Sequence, residues 1–333
     1  MIYIEVKCDS RESIGLQGII EFSTKEKLMP YMKKSMLIKE ARKTGKGSNV
    51  WIEILKFVAI VSILNIIVTM FGETVISAMF ENMAVGKNTY LLKYLYGDLL
   101  GVMLVIVYCL FIQKRTIKSI GLTAGKIGRQ YIKGLCIGFF LFTGIVIGGL
   151  LLNTFYFYGR NENANAGIIF CFGIGFMIQG LYEELVFRGL FLTSMIRKNS
   201  VLVSIVVSSI FFGITHSLNN GFQIMALVNL VILGTFESIY MLKTDNIWGV
   251  SAIHGMWNFT QGNICGFNIS GMNRTESVLF IRGTGTEILS GGNFGIEGSL
   301  YATMGLVIVI LLCYIKPIKW HKAKYLFYRL HDG

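Results

Sequence analysis

Residues 182–191 read YEELVFRGLF, set between two long apolar runs, AGIIFCFGIGFMIQGL at 166–181 and SVLVSIVVSSIFFGITH at 200–216. Neither flanking run holds an aspartate, glutamate, lysine or arginine. On a soluble helix Glu184 and Arg188, spaced i,i+4, would form a surface pair worth roughly 0.2–0.5 kcal/mol. In a membrane-spanning segment each charge costs at least ~2.5–3.5 kcal/mol near the bilayer centre, and such residues mark protected polar sites. What surrounds this segment therefore decides both the fold and the meaning of its charges.

Composition points to lipid. The 333 residues are 53% hydrophobic and 15% charged, with mean hydropathy +0.59, whereas soluble domains carry about 25% charged residues. Eight apolar runs occur, at roughly 51–72, 96–113, 132–158, 166–182 (continuing as a helix to 198), 200–216, 221–242, 246–261 and 299–316. Each approaches the ~20 residues that span a bilayer, with 200–216 and 246–261 the shortest. The expected fold is all-α, a polytopic bundle of about eight transmembrane helices over 51–316. A basic region, 1–50, precedes it and a basic tail, 317–333, follows. Within the first of these, STKEKLMPYMKKSMLIKEARK (23–43) reads either as an interfacial amphipathic helix or as a solvated tail. The opening MIYIEVKCDSRES has no charged start leading into an apolar core, so no cleavable leader is expected.

The net charge of +12 does not indicate nucleic acid, because the basic residues fall in short loops between apolar runs. Their distribution gives an orientation instead. With the N-terminus cytoplasmic, the inside segments carry 10, 6, 2, 1 and 5 lysines and arginines, and the outside segments carry five in all. Eight spans with both termini cytoplasmic are expected. Of the six cysteines, Cys109, Cys136, Cys171 and Cys313 lie in apolar runs, and no CxxC occurs. They read as small buried hydrophobes, not as a disulfide or zinc framework.

Glu183, Glu184, Arg188, His216, Glu237, His254 and Asn258 all fall in or at the edge of apolar runs. The chain has four histidines, of which two, His216 and His254, lie in these runs. Glu183 and His216 each stand 16.5 residues from the midpoint of the expected turn at Asn199–Ser200. At 1.5 Å per residue both lie about 25 Å from it, so antiparallel arms bring them to one depth. Glu184 and Arg188 share a helix face, as do His254 and Asn258. A carboxylate and an imidazole on one water form a general base, and a second histidine with an asparagine amide can serve a developing oxyanion. These are parts of a hydrolase for a carbonyl such as a peptide bond. No serine or cysteine lies in the set, which argues against a covalent acyl-enzyme. A His/His/Glu set is also a zinc donor set. Without HExxH a metal is not required, and a divalent ion, if bound, would fall to Glu183, His216 and His254.

EELVFR (183–188), FGITH (212–216) and HGMWN (254–258) resemble, in order, the EExxxR, FxxxH and HxxxN motifs of the CPBP intramembrane proteases. That group includes the type II CAAX prenyl endopeptidases and bacterial proteins linked to bacteriocin self-immunity. The resemblance covers about residues 166–262. It implies an eight-helix membrane fold in a bacterial plasma membrane and a protease core within it. It implies that Glu183 and His216 activate water, that Glu184 holds Arg188, and that His254 and Asn258 stabilise the oxyanion. It also implies membrane lipids and a peptide or protein substrate, lipidated in some members, as partners. Two other readings compete: a non-catalytic immunity or scaffold protein, and an ion-coupled transporter, for which intramembrane Glu, His and Arg also serve. The Gly-rich segment 283–298 reads first as a flexible outer loop, with a lid or re-entrant turn as alternatives. One tension stands: a site ~25 Å from the cytoplasmic turn is far from substrates that arrive in the cytoplasm.

Overall fold

The computed structural model describes residues 35–44, 47–76, 78, 88–274 and 276–315. The expectations for residues 1–34, including most of the 23–43 segment, and for the tail 317–333 lie outside the described residues. The bundle consists of α1 (Met36–Lys43), α2 (Val50–Phe71), α3 (Thr89–Val107), α4 (Ile127–Leu151), α5 (Ala166–Glu184), α6 (Val201–Thr215), α7 (Ile224–Thr244), α8 (Trp248–Phe259) and α9 (Leu300–Ile315). In lipid a backbone must bond within itself, which makes helices the outcome for long apolar runs. Polar caps start them: the side chains of Asn49, Asn165 and Ser200 accept from the backbone N–H three residues on, at 3.0, 3.1 and 3.2 Å.

Five helices are long and apolar enough to cross a membrane: Val50–Ile76, Thr89–Ile112, Ile127–Leu151, Ala166–Ile196 and Ile224–Thr244. The other three expected spans are shorter helices of 15, 12 and 16 residues, α6, α8 and α9. Length therefore supports five spans and leaves eight unestablished. The expected run 132–158 also ended too late. α4 stops at Leu151 and Asn153 turns left-handed (φ 55°), after which Phe155–Arg160 is a strand, β1. It pairs antiparallel with β2 (Leu279–Gly283), in register Tyr156↔Arg282, so an all-α description misses a two-stranded ribbon.

The ribbon belongs to a folded layer, built from 153–161, 216–223 and 262–299, across one end of the bundle. Asn219 Nδ2 donates to Ser270 O, Gly271 N–H to Phe294 O and Gln223 Nε2 to Gly291 O. Asn229 on α7 clamps the layer from below, donating to the carbonyls of Glu297 and Ser299 at 2.7 and 2.8 Å. The Gly-rich segment is thus bonded structure over the bundle rather than a loose loop. The opposite end is closed differently. Ser35 Oγ and Leu37 N–H donate to Asp245 Oδ1, Arg42 Nε to Ile196 O, and Trp248 Nε1 to Thr123 O. There α1 buries Leu37, Ile38 and Ala41 against the bundle, so this piece of the basic region is a docked helix.

Candidate active site

α5 carries YEELVFRGLF without a break, but its geometry widens: Leu185–Leu192 is π-helical before Thr193–Ile196 resumes α. Arg115, from the loop after α3, sits under this wide segment. It donates to Leu190 O and Gly189 O at 3.5 and 3.4 Å and to Ser119 O at 2.8 Å. Ser208 Oγ on α6 donates to Phe187 O at 2.9 Å. Side chains from two neighbours thereby serve carbonyls that a widened turn leaves less well bonded.

Four helices bring the polar residues together. α8 lies directly on α5: a Cβ on Gly180 would stand 2.7 Å from Gly255 N and 2.7 Å from Ser251 O, and one on Gly255 would stand 2.6 Å from Phe176 O. Only glycine at both positions permits backbone-to-backbone contact, and that contact sets His254 beside the glutamates. Arg188 is fully buried and bridges two carboxylates, Glu184 Oε1 at 2.9 Å and Glu237 Oε2 at 2.5 Å. Its guanidinium lies over the Phe212 ring, 4.4 Å from the centroid. The same ring meets His216 and His254 edge-on, at 5.0 and 5.9 Å. The phenylalanine of FGITH is thus the wall that both histidines and the arginine share.

Glu183 faces the other way, into a cavity of about 210 Å³ lined also by Tyr90, Tyr94, His216, His254 and Asn258. Its Oε2 is 3.9 Å from His216 Nε2 and 3.7 Å from His254 Nε2, and has no hydrogen-bond partner among the described residues. The tautomers follow from the opposite ring nitrogens. His216 Nδ1 is 2.8 Å from Phe212 O and so must donate. His254 Nδ1 is 2.9 Å from Glu184 Oε1 and donates there. In the neutral state both Nε2 atoms present lone pairs toward an acceptor-only carboxylate. Three acceptors that converge without touching are suited to a water, or a cation, between them.

All six expected residues, Glu183, Glu184, Arg188, His216, His254 and Asn258, come to one place. Glu184 binds Arg188 as expected, but divides itself between Arg188 and His254. Glu237 was legible as a charge within a span, yet its place as the second partner of Arg188 was not. Gln179 and Glu297 were passed over. Gln179 Oε1 accepts from Asn258 Nδ2 at 3.0 Å and lies one turn before Glu183, where a lone amide in an apolar run was the available signal. Glu297 enters from the folded layer above. Its Oε2 accepts from both Ser270 N and Ser270 Oγ at 2.7 Å, and it lines the cavity. Burial pushes its carboxyl above the usual carboxylate range, against the pull of the Ser270 bonds and of His216. Asp98 on α3 is buried with neither oxygen hydrogen-bonded among the described residues; as the one charge in the apolar run 96–113 it carried the same signal as Glu183 and was passed over.

Two trios could accept a metal on donor chemistry. Glu184, Glu237 and His254 offer atoms within 4.8 Å of one another, but Arg188 already supplies the cation there, so this trio does not fit an ion. Glu183, His216 and His254 are donors of the kinds zinc takes, with Glu183 Oε2 3.9 and 3.7 Å from the two Nε2 atoms; this trio fits on donor chemistry, at spacings wider than a closed zinc shell.

The model of a family described as type II CAAX prenyl endopeptidase Rce1-like matches residues 165–260. No curated protein matches the chain. The matched residues span α5 to α8 and contain all three motifs. With the long apolar helices they mark an integral membrane protein whose central segment resembles a protease family.

Proposed function

We propose that this protein is a membrane endopeptidase that hydrolyses a peptide bond of a membrane-associated peptide or protein with water activated by Glu183 and His216. The observation that carries the reading is that Glu183 Oε2 stands 3.9 Å from His216 Nε2 and 3.7 Å from His254 Nε2 on the wall of one partly enclosed cavity. A water there has a carboxylate and an imidazole to take its protons. Its oxygen attacks the scissile carbonyl carbon as the C=O π pair moves onto oxygen. Asn258 Nδ2 and doubly protonated His254, through Nε2–H, donate to that oxyanion. The oxyanion then collapses, the C–N bond breaks, and the proton taken from water passes to the leaving nitrogen. Glu184 keeps the His254 ring oriented from the far side, and Arg188 holds Glu184 against Glu237. If a divalent ion binds, Glu183, His216 and His254 would hold it, and it would supply Lewis acidity toward water and carbonyl.

The experiment compares peptides recovered from membranes of cells that carry the wild-type chain or Glu183→Ala. Fragments present with the wild type and absent with the variant support the reading. Identical fragment sets favour the scaffold reading. A liposome flux that depends on His216 would favour a transporter.

A further inference from the structure

The catalytic cavity lies at one end of the bundle, and the two ends differ. α6 leaves the turn at 197–200 and reaches His216 after 15 residues, about 22 Å away by helical rise. α3 begins at Thr89, and the cavity takes Tyr90 and Tyr94 from its first two turns. α7 enters at Ile224 and contributes Leu230 and Leu233. Five further lining residues, Asn219, Ile269, Ser270, Met272 and Glu297, belong to the folded layer itself. The cavity thus sits directly beneath that layer.

Charge separates the ends in the same sense. Around the far turn, the described residues include Lys39, Arg42, Lys118, Lys126, Arg197 and Lys198. The folded layer mixes Arg160, Arg274 and Arg282 with Glu162, Glu276 and Glu287. An excess of lysine and arginine in short loops marks the cytoplasmic face. The layer also carries an aromatic rim: Tyr156, Phe157 and Tyr158 are exposed one after another on β1, with Arg282 placed 5.7 Å over the Tyr158 ring. Trp51 is exposed at the start of α2, at the other end. Amphipathic aromatics at both ends fit the two membrane–water interfaces. The cavity therefore lies next to the rim opposite the basic face.

We infer that the active site opens to the non-cytoplasmic face of the membrane, and that its substrate is an exported or membrane-inserted peptide presented at the outer leaflet. This rests on the peptidase reading for the substrate, but not for the orientation. A cytosolic tail, prenylated or not, would have to cross about 25 Å of bundle to reach Glu183.

The test has two arms. Leu218, 95% exposed beside His216, and Lys118, exposed on the basic face, are each changed to cysteine. Intact cells are treated with a membrane-impermeant maleimide, with the parent chain as baseline for its own cysteines. The inference expects Leu218→Cys to label in intact cells and Lys118→Cys to label only after the cells are opened. The reverse pattern, or both positions reacting from one side, overturns it. In the second arm, quenched mixed-sequence decapeptides and a farnesylated CAAX peptide are added to right-side-out and inverted vesicles, with Glu183→Gln as control. Glu183-dependent cleavage in right-side-out vesicles supports the inference. Cleavage confined to inverted vesicles overturns it and keeps the peptidase reading. Cleavage in neither, with Leu218→Cys labelled from outside, sinks the peptidase reading and the substrate half with it, and leaves the orientation standing.

Discussion

Arg188→Met tests the buried charge arrangement that the site is built on. Methionine keeps a flexible unbranched stem, shorter than that of arginine, and removes the charge. Arg188 makes one ion pair of 2.9 Å and one of 2.5 Å, with no solvent access, and lies 4.4 Å over Phe212. Hydrogen bonds to charged partners contribute roughly 1.5–3 kcal/mol each and a desolvated cation–π contact about 2, so the gross loss is about 5–8 kcal/mol. Glu184 and Glu237 can take up protons once abandoned, which returns part of that at about 1.4 kcal/mol per pKa unit. The expected net destabilisation is ~3–5 kcal/mol, the range for breaking a buried pair from one side. The assay is detergent-titration unfolding of the purified protein in mixed micelles, run as a cycle with Glu237→Gln. In that background one carboxylate is already neutral, so Arg188→Met should cost less by about 1–3 kcal/mol. A single variant within 1 kcal/mol of wild type, or a cycle that closes additively, would refute the reasoning.

Three further outcomes follow from single contacts. Gly180→Ala forces a methyl to within 2.7 Å of Gly255 N and Ser251 O; it should destabilise by ~1–3 kcal/mol and depress turnover, both read on the same preparation. Gln179→Leu removes the acceptor of the 3.0 Å bond from Asn258; turnover should fall on the order of tenfold while the unfolding midpoint holds, because an oxyanion donor loses its orientation. Glu297 has a carboxyl raised above its ordinary 4.5 by burial, so the folded chain gains a proton there, and the stability it costs is absent below that pH and grows as pH rises toward the raised value. Glu297→Gln should therefore melt with wild type near pH 4 and above it near pH 8, and a gap independent of pH would show that burial does not govern this group.

The Glu183–His216 pairing was legible because helical rise is a constant: equal residue counts on two arms of a hairpin put side chains at one depth, and the atoms are 3.9 Å apart. Arg188 was legible as a buried charge that needed a partner, and Glu184 one turn away supplied it. Glu237 could not be assigned as the second partner, since which face α7 turns inward is decided by packing across 49 residues of sequence. Hydropathy misread Phe155–Tyr158 as the end of a span, because an apolar aromatic run fits a strand as well as a helix. Glu297 was hidden by its neighbours: Gly291, Gly292 and Gly295 all take positive φ and looked like flexibility, whereas they shape the turns that carry Glu297 over the cavity. The same limit applied to the short helices, where length alone does not decide between crossing a bilayer and being held inside a bundle.

The most direct measurement is cleavage of quenched peptides by purified wild-type and Glu183→Gln protein in lipid nanodiscs, with unfolding midpoints recorded alongside. Glutamine keeps the shape of the side chain and cannot take a proton from water. The account predicts a fall in turnover of ~10²–10⁴ with the midpoint unchanged. Undiminished cleavage by Glu183→Gln would contradict it.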